Sequence, residues 1–346
     1  MDSRLLQHTM RRLSCLCLLA LGGSAWAAAP ALVSILQGEA TLVRETSRFA
    51  LAEGVALVDG DIVQTPAGSF VQIEFDDGTI VGLSENGRLL LKPLLTAPKT
   101  PSVPSATNIA AQLYLLEGWI KLTTVQKPPA EFALLTPAFG LVSTGATVVA
   151  RVQPKGYELF VESGSARLIA RGSASALKGN DFVSQAANAD KPAIGANLGG
   201  EFLQLLPRQF RDRLPARAAL FAGRSVNPKP LGPVAYADVS AWLHAEPGIR
   251  LALSKQWRPR AADRAFRTEV AANLAAHTEW ERVLYPKRFL PKPPARVAAA
   301  RPHAPNTANA AQNAAAPATA IPASSYNPPN PVAVSPTPES SASSAN

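Results

Sequence analysis

The 346-residue sequence predicts a mainly β N-terminal domain, irregular and rolled or solenoid-like, followed by a small α-helical module and a disordered Pro/Ala-rich tail. Three observations predict it. Between Gly60 and Leu91, short apolar segments alternate with Gly60-Asp61, Ala67-Gly68-Ser69, Asp77-Gly78 and Asn86-Gly87, residues that accept the positive φ of a tight turn. After Lys178-Gly179-Asn180-Asp181 the apolar spacing changes from a strand period to a helical one. From Pro291 to the end, 12 of the 31 prolines fall in 56 residues among Ala, Asn and Ser, too few bulky groups to offset the entropy of ordering.

The N-terminus reads as an address. Arg11-Arg12 precede the apolar run Leu13 to Leu21, then Gly22-Gly23-Ser24 and Ala25-Trp26-Ala27. A basic start, a short apolar stretch and an A-x-A site define a secretory signal over residues 1–27, and the run is too short to span a bilayer of about 30 Å. Cleavage is expected after Ala27, with Ala29 as the alternative. Arg12 stands three before Cys15, which argues against a lipoprotein site. Met10 and Leu13 suit a twin-arginine signal poorly. The mature chain is therefore expected in the periplasm without a transmembrane segment. Both cysteines, Cys15 and Cys17, leave with the signal, which removes disulfides, thiol catalysis and cysteine-ligated zinc from consideration.

The β region is expected over residues 30–185. Within Phe70 to Phe75 the residues at 71, 73 and 75 share one face and Gln72 and Glu74 the other, the pattern of a half-buried strand. Three similar runs recur, Ile35 to Leu42, Leu115 to Leu122 and Val161 to Leu168, each placing a glycine (Gly38, Gly118, Gly164) between apolar strands. Their unequal spacing excludes a regular repeat array and predicts one corner used several times. Pro93, Pro98, Pro101 and Pro104 make residues 93–107 a surface loop, since proline cannot donate to a sheet ladder.

Gly60, Asp61 and Thr65, the strand ending at Asp77-Gly78, the run Ser143 to Thr147 with Gly145 and Thr147, and the stretch around Gly164 together resemble the FecR-type periplasmic domain. The resemblance covers about residues 30 to 185 and implies an all-β fold in which those residues are structural. In the founding members, a cytoplasmic anti-sigma segment and one membrane span precede the periplasmic part, which relays an outer-membrane signal to a sigma factor. A cleavable leader in their place leaves recognition as the expected role.

Residues 200–290 are expected to form a basic group of short helices. Leu203, Leu206, Phe210 and Leu214 have helical spacing broken by Pro207 and Pro215. Asp238 is expected to cap a helix carrying Val239, Trp242 and Leu243. Pro247 opens one with Ile249, Leu253 and Trp257, and Asp263 caps one with Phe266, Val270 and Leu274. Thr278 to Glu281 has capping-box spacing before Val283 and Leu284. Residues 291–346 are the tail.

No nucleophile elbow, phosphate loop, dinucleotide fingerprint or HExxH pair occurs, so no enzyme activity, cofactor or metal is expected. His244 and His277 read as helix-end or core histidines. Asp59-Gly60-Asp61 and Asp76-Asp77-Gly78 could pool carboxylates for calcium or a glycosidase pair, but turns use the same residues. Charge is divided: residues 30–185 hold 12 basic and 14 acidic side chains, and residues 186–290 hold 16 and 9. Arg208, Arg211, Arg258, Arg260, Arg264 and Arg267, with Arg213 and Arg217 beside them, are the candidate contacts to an anionic partner. Outside the cytoplasm that partner is an envelope protein or an anionic envelope component rather than nucleic acid. The expected function is an exported, non-catalytic binding or scaffold module of the envelope. Alternatives are a periplasmic sensor or regulator in cell-surface signalling, and a cryptic carbohydrate-active enzyme relying on Asp61, Asp76 or Asp77.

Overall fold

A computed structural model describes residues 31–92, 112–125, 131–196 and 198–290. The expected signal, the loop at 93–107 and the tail lie outside the described residues. Sixteen strands form one open, mostly antiparallel sheet: β1 (Ala31–Gln37), β2 (Thr41–Arg44), β3 (Ser47–Ala50), β4 (Ala56–Leu57), β5 (Ile62–Gln64), β6 (Phe70–Phe75), β7 (Ile80–Leu83), β8 (Arg88–Leu91), β9 (Leu113–Thr123), β10 (Phe132–Leu135), β11 (Gly140–Gln153), β12 (Gly156–Ala170), β13 (Ser173–Lys178), β14 (Phe182–Ala186), β15 (Ala193–Gly195) and β16 (Lys229–Pro233). Helices cluster in the C-terminal part: α1 (Gly200–Leu205), α2 (Tyr236–Leu243), α3 (Pro247–Trp257), α4 (Arg264–Ala272) and α5 (Glu281–Leu284).

The sheet bends over on itself into two layers because its three longest strands belong to both. β9 pairs β8 and β10 with its first half and β7 and β11 with its second. β11 and β12 divide in the same way, β10 and β13 meeting one half and β9 and β14 the other. The bends fall at Gly118, Gly145 and Gly164, with φ of 106°, 63° and 75°. A Cβ on Gly164 would lie 2.2 Å from the Gly145 carbonyl oxygen and one on Gly118 2.6 Å from Gly87 Cα, so the corners stack backbone on backbone and admit no side chain. Sequence spacing predicted corners at Gly38, Gly118 and Gly164. Gly38 does separate two strands, whereas Gly118 and Gly164 are bends inside single long strands.

Alternation along the strands now has a clear assignment. Leu42, Val63, Leu89, Leu113, Val71, Ile73, Val81, Ile120, Val148 and Leu159 meet between the layers in the main core. Their neighbours point outward and are buried too. Val43, Ile62, Leu90, Tyr114 and Leu135 pack under Trp242, Ile249, Trp257, Phe266 and Trp280 of the helices. On the other outer face Phe70, Ile80, Trp119 and Val149 pack under Phe202, Phe210 and Leu214. Covering both faces explains why β6, β7 and β10 are buried almost throughout, which corrects the expectation of half-exposed strands: Gln72 and Glu74 are interior. The chain after 185 also returns to the sheet, β16 pairing β3.

The helices follow their caps with two corrections. The Asp263 carboxylate accepts from Phe266 N at 2.9 Å, and Pro247 opens α3, as read from the sequence. Asp238 lies inside α2 instead of before it, accepting from Ala235 N at 2.7 Å. Thr278 makes no cap bond; residues 278–280 are a single tight turn leading into α5.

Candidate functional site

The signature residues of the β region act in its construction. Asp61 is 1% exposed and takes a forked pair of bonds from Arg44, Nε at 2.8 Å and Nη2 at 2.6 Å, while accepting from Val58 N at 2.9 Å. That carboxylate holds the Arg44 guanidinium above its ordinary value. Gly60 supplies the positive φ before it. Thr65 is buried, donating to the Ser84 carbonyl at 2.5 Å and accepting from Gly87 N at 3.0 Å. Asp77 accepts from Thr79 N at 2.7 Å in the β6–β7 turn, where Gly78 takes a φ of 88°. Gly145, Thr147 and Gly164 sit at the bends of β11 and β12. Asp76 and Asp77 are exposed and Asp61 is sealed, so the acids considered for calcium or catalysis do not share an environment.

A buried polar clasp, missed by the sequence reading, holds the 207–218 segment against one outer face. Lys121, 1% exposed, donates to Glu162 Oε1 at 2.8 Å and to the carbonyls of Phe210 and Asp212 at 2.8 and 3.0 Å. Glu74 accepts from Arg217 N and Ala218 N at 2.7 and 2.9 Å, and Gln72 donates to the Pro215 carbonyl at 2.7 Å. Its one legible signal is Lys121 between Ile120 and Leu122, a charge amid an apolar strand.

The six candidate arginines do not form one patch. Arg208 and Arg211 belong to the segment over β6, β7 and β9, and the other four belong to the helices over the opposite layer. Arg260 is spent internally, donating to the Val234 carbonyl at 2.7 Å and lying 5.8 Å from the Phe266 ring centre. Arg267 donates to the Leu284 carbonyl. Arg258 and Arg264 are exposed and make no ion pair among the described residues.

His277 is fully buried at the end of the module, with Nε2 2.8 Å from the Tyr236 hydroxyl and its ring centre 4.6 Å from that of the exposed His244. Burial and the neighbouring His244 hold the His277 imidazole below its ordinary value. Both fit the helix-end or core reading. An open cleft of about 600 Å³ lies where the β10–β11, β11–β12 and β12–β13 turns meet the end of α2. A second, of about 570 Å³, lies between Asp59-Gly60-Asp61 and α3.

Sheet edges differ in how they are closed. β4 and β15 are two and three residues long, and β16 carries Pro230 and Pro233. β13 pairs only β12 among the described residues, and Ser173, Ala174 and Ala176 along it are exposed. Short or proline-bearing edges resist pairing; a six-residue edge whose first four residues, 173–176, are Ser and Ala does not.

The family model described as FecR protein matches residues 61–167, from the buried Asp61 into β12. No curated protein matches the chain. Two crystal structures of a "putative anti-sigma factor" from Parabacteroides distasonis ATCC 8503 are similar to it, at 15% and 13% identity with TM-scores of 0.32 and 0.31. Each comparison covers 39% of this chain and 58% of the other, so the chain spans little more than half the length of those proteins. Residues 61–167 of this chain are a FecR-type domain.

Proposed function

We propose that this protein is an exported, non-catalytic recognition module of the cell envelope, whose rolled FecR-type domain binds a protein partner in cell-surface signalling. The FecR match over residues 61–167 carries the reading. A periplasmic location rests on the leader expected at 1–27. Two features of the fold support recognition over chemistry. The acids that a carbohydrate-active centre would use are separated, Asp61 being locked to Arg44. The β13 edge, which has no strand on its outer side among the described residues, offers its backbone to an extended strand of the partner, main-chain bonds giving affinity and side-chain pockets selectivity. Arg258 and Arg264 add an electrostatic contact to an acidic surface.

A photo-crosslinking residue at Ser175 in living cells, followed by mass spectrometry, tests this. One envelope protein should be captured from Ser175 and not from Lys229 on the proline-blunted edge. Equal capture from both positions, or none, would overturn the edge as the contact. Deleting the gene should change a transcriptional regulon; a change in envelope integrity alone would replace signalling with scaffolding.

A further inference from the structure

The 600 Å³ cleft at the end of the folded sheet belongs to neither the signature residues nor the β13 edge. Its volume lies in the range of small-ligand sites. Val152 and Tyr157, members of the main core, form the floor, and Ala138, Ala186, Ala187 and Ala241 leave the mouth unfilled. Tyr157 is 2% exposed, and its hydroxyl, a group that proteins almost always pair when buried, has no hydrogen-bond partner among the described residues. Burial pushes that hydroxyl up to about 12, against the pull of the nearby Arg171 charge, so it remains a donor at neutral pH.

Arg171 is the second anomaly. It occupies, with Gly172, the two-residue turn between Ala170 of β12 and Ser173 of β13, at a φ of 48°. Both central positions of such a turn are left-handed, where Asn-Gly is the economical choice and arginine is strained. Strain retained at one residue points to a use for its side chain. One arm of the guanidinium donates to the Ala187 carbonyl at 3.0 Å, which fixes it at the cleft, and no carboxylate pairs with it among the described residues. Glu117, the acid on the wall, is already paired with Arg88.

We propose that this cleft binds a small amphipathic oxyanion, an apolar body seated on Val152 and Tyr157 with one carboxylate-like head between Arg171 and the Tyr157 hydroxyl. Arginine suits such a head because its planar fork matches two oxygens. The proposal is independent of the signalling partner.

Fluorescence titration of the full chain with anilinonaphthalene sulfonate, beside its neutral counterpart phenylnaphthylamine, tests the site. One equivalent of the anion should bind at least about tenfold tighter than the neutral probe. Arg171→Gly should lose that advantage while raising the melting temperature, because it relieves the turn. Ala138→Trp, on the exposed rim, should block both probes with the far-ultraviolet spectrum unchanged. Equal affinity for the two probes, or an anion affinity untouched by Arg171→Gly or by Ala138→Trp, would overturn the proposal.

Discussion

The Lys121 ammonium of β9 meets the Glu162 carboxylate of β12 at 2.8 Å across the intervening strand β11, in a position where the lysine is almost fully enclosed and the glutamate is 30% exposed. The same ammonium holds the Phe210 and Asp212 carbonyls, so one charge ties two strands to the segment that covers them. Lys121→Met keeps the stem and removes all three bonds. A loss of about 2–4 kcal/mol is expected in equilibrium urea unfolding, since the buried Phe210 carbonyl and the half-buried Asp212 carbonyl lose their donor and Glu162 its cation. Limited proteolysis should then cut first within 207–218.

Asp61 depends on Arg44 in a comparable way, with the burial reversed: here the acid is sealed. Arg44→Met should cost about 3–5 kcal/mol by leaving a buried carboxylate unpaired, and Arg44→Lys should recover only part because an ammonium cannot reproduce the fork. Asp61→Asn in the Arg44→Met background should restore stability, as a double-mutant cycle would show.

Two glycines separate conformational strain from close approach. Gly60→Ala meets open space and carries only the left-handed penalty, about 1–2 kcal/mol. Gly164→Ala has a similar φ but would also drive Cβ into the Gly145 carbonyl, and it should prevent the folded sheet from forming. Melting temperature and soluble yield of the two variants give the comparison.

Acid should loosen the helical module before the sheet. Burial, reinforced by His244, keeps the folded His277 imidazole below 6.5, so the unfolded chain binds a proton that the folded chain refuses. The associated stability is present above pH 6.5 and is lost as pH falls toward the folded value. Urea midpoints followed by the fluorescence of the buried Trp257 and Trp280 should decline as pH falls below 6.5, before ordinary carboxylates titrate. His277→Gln should flatten that decline.

The short strands of residues 60–91, the helix starts at Pro247 and Asp263, and the breaks at Pro207 and Pro215 were legible because each is a local matter. A turn glycine, a cap or a proline acts within a few residues of itself. Alternation likewise placed Val71 and Ile73 on one face and Gln72 and Glu74 on the other. Its error was to give the polar pair to solvent, since a period of two marks opposite faces without saying what covers either.

By itself the sequence determined a strand-rich part followed by short helices, and the FecR-type signature, all carried by backbone preference and local patterning. Tertiary structure alone decided that Gly118, Gly145 and Gly164 bend long strands between two layers, that Lys121 and Glu74 clasp a segment far along the chain, and that the arginines lie on opposite sides. Those outcomes arise from contacts between residues distant in sequence. A buried charge becomes favourable only when the chain that returns over it supplies the partners.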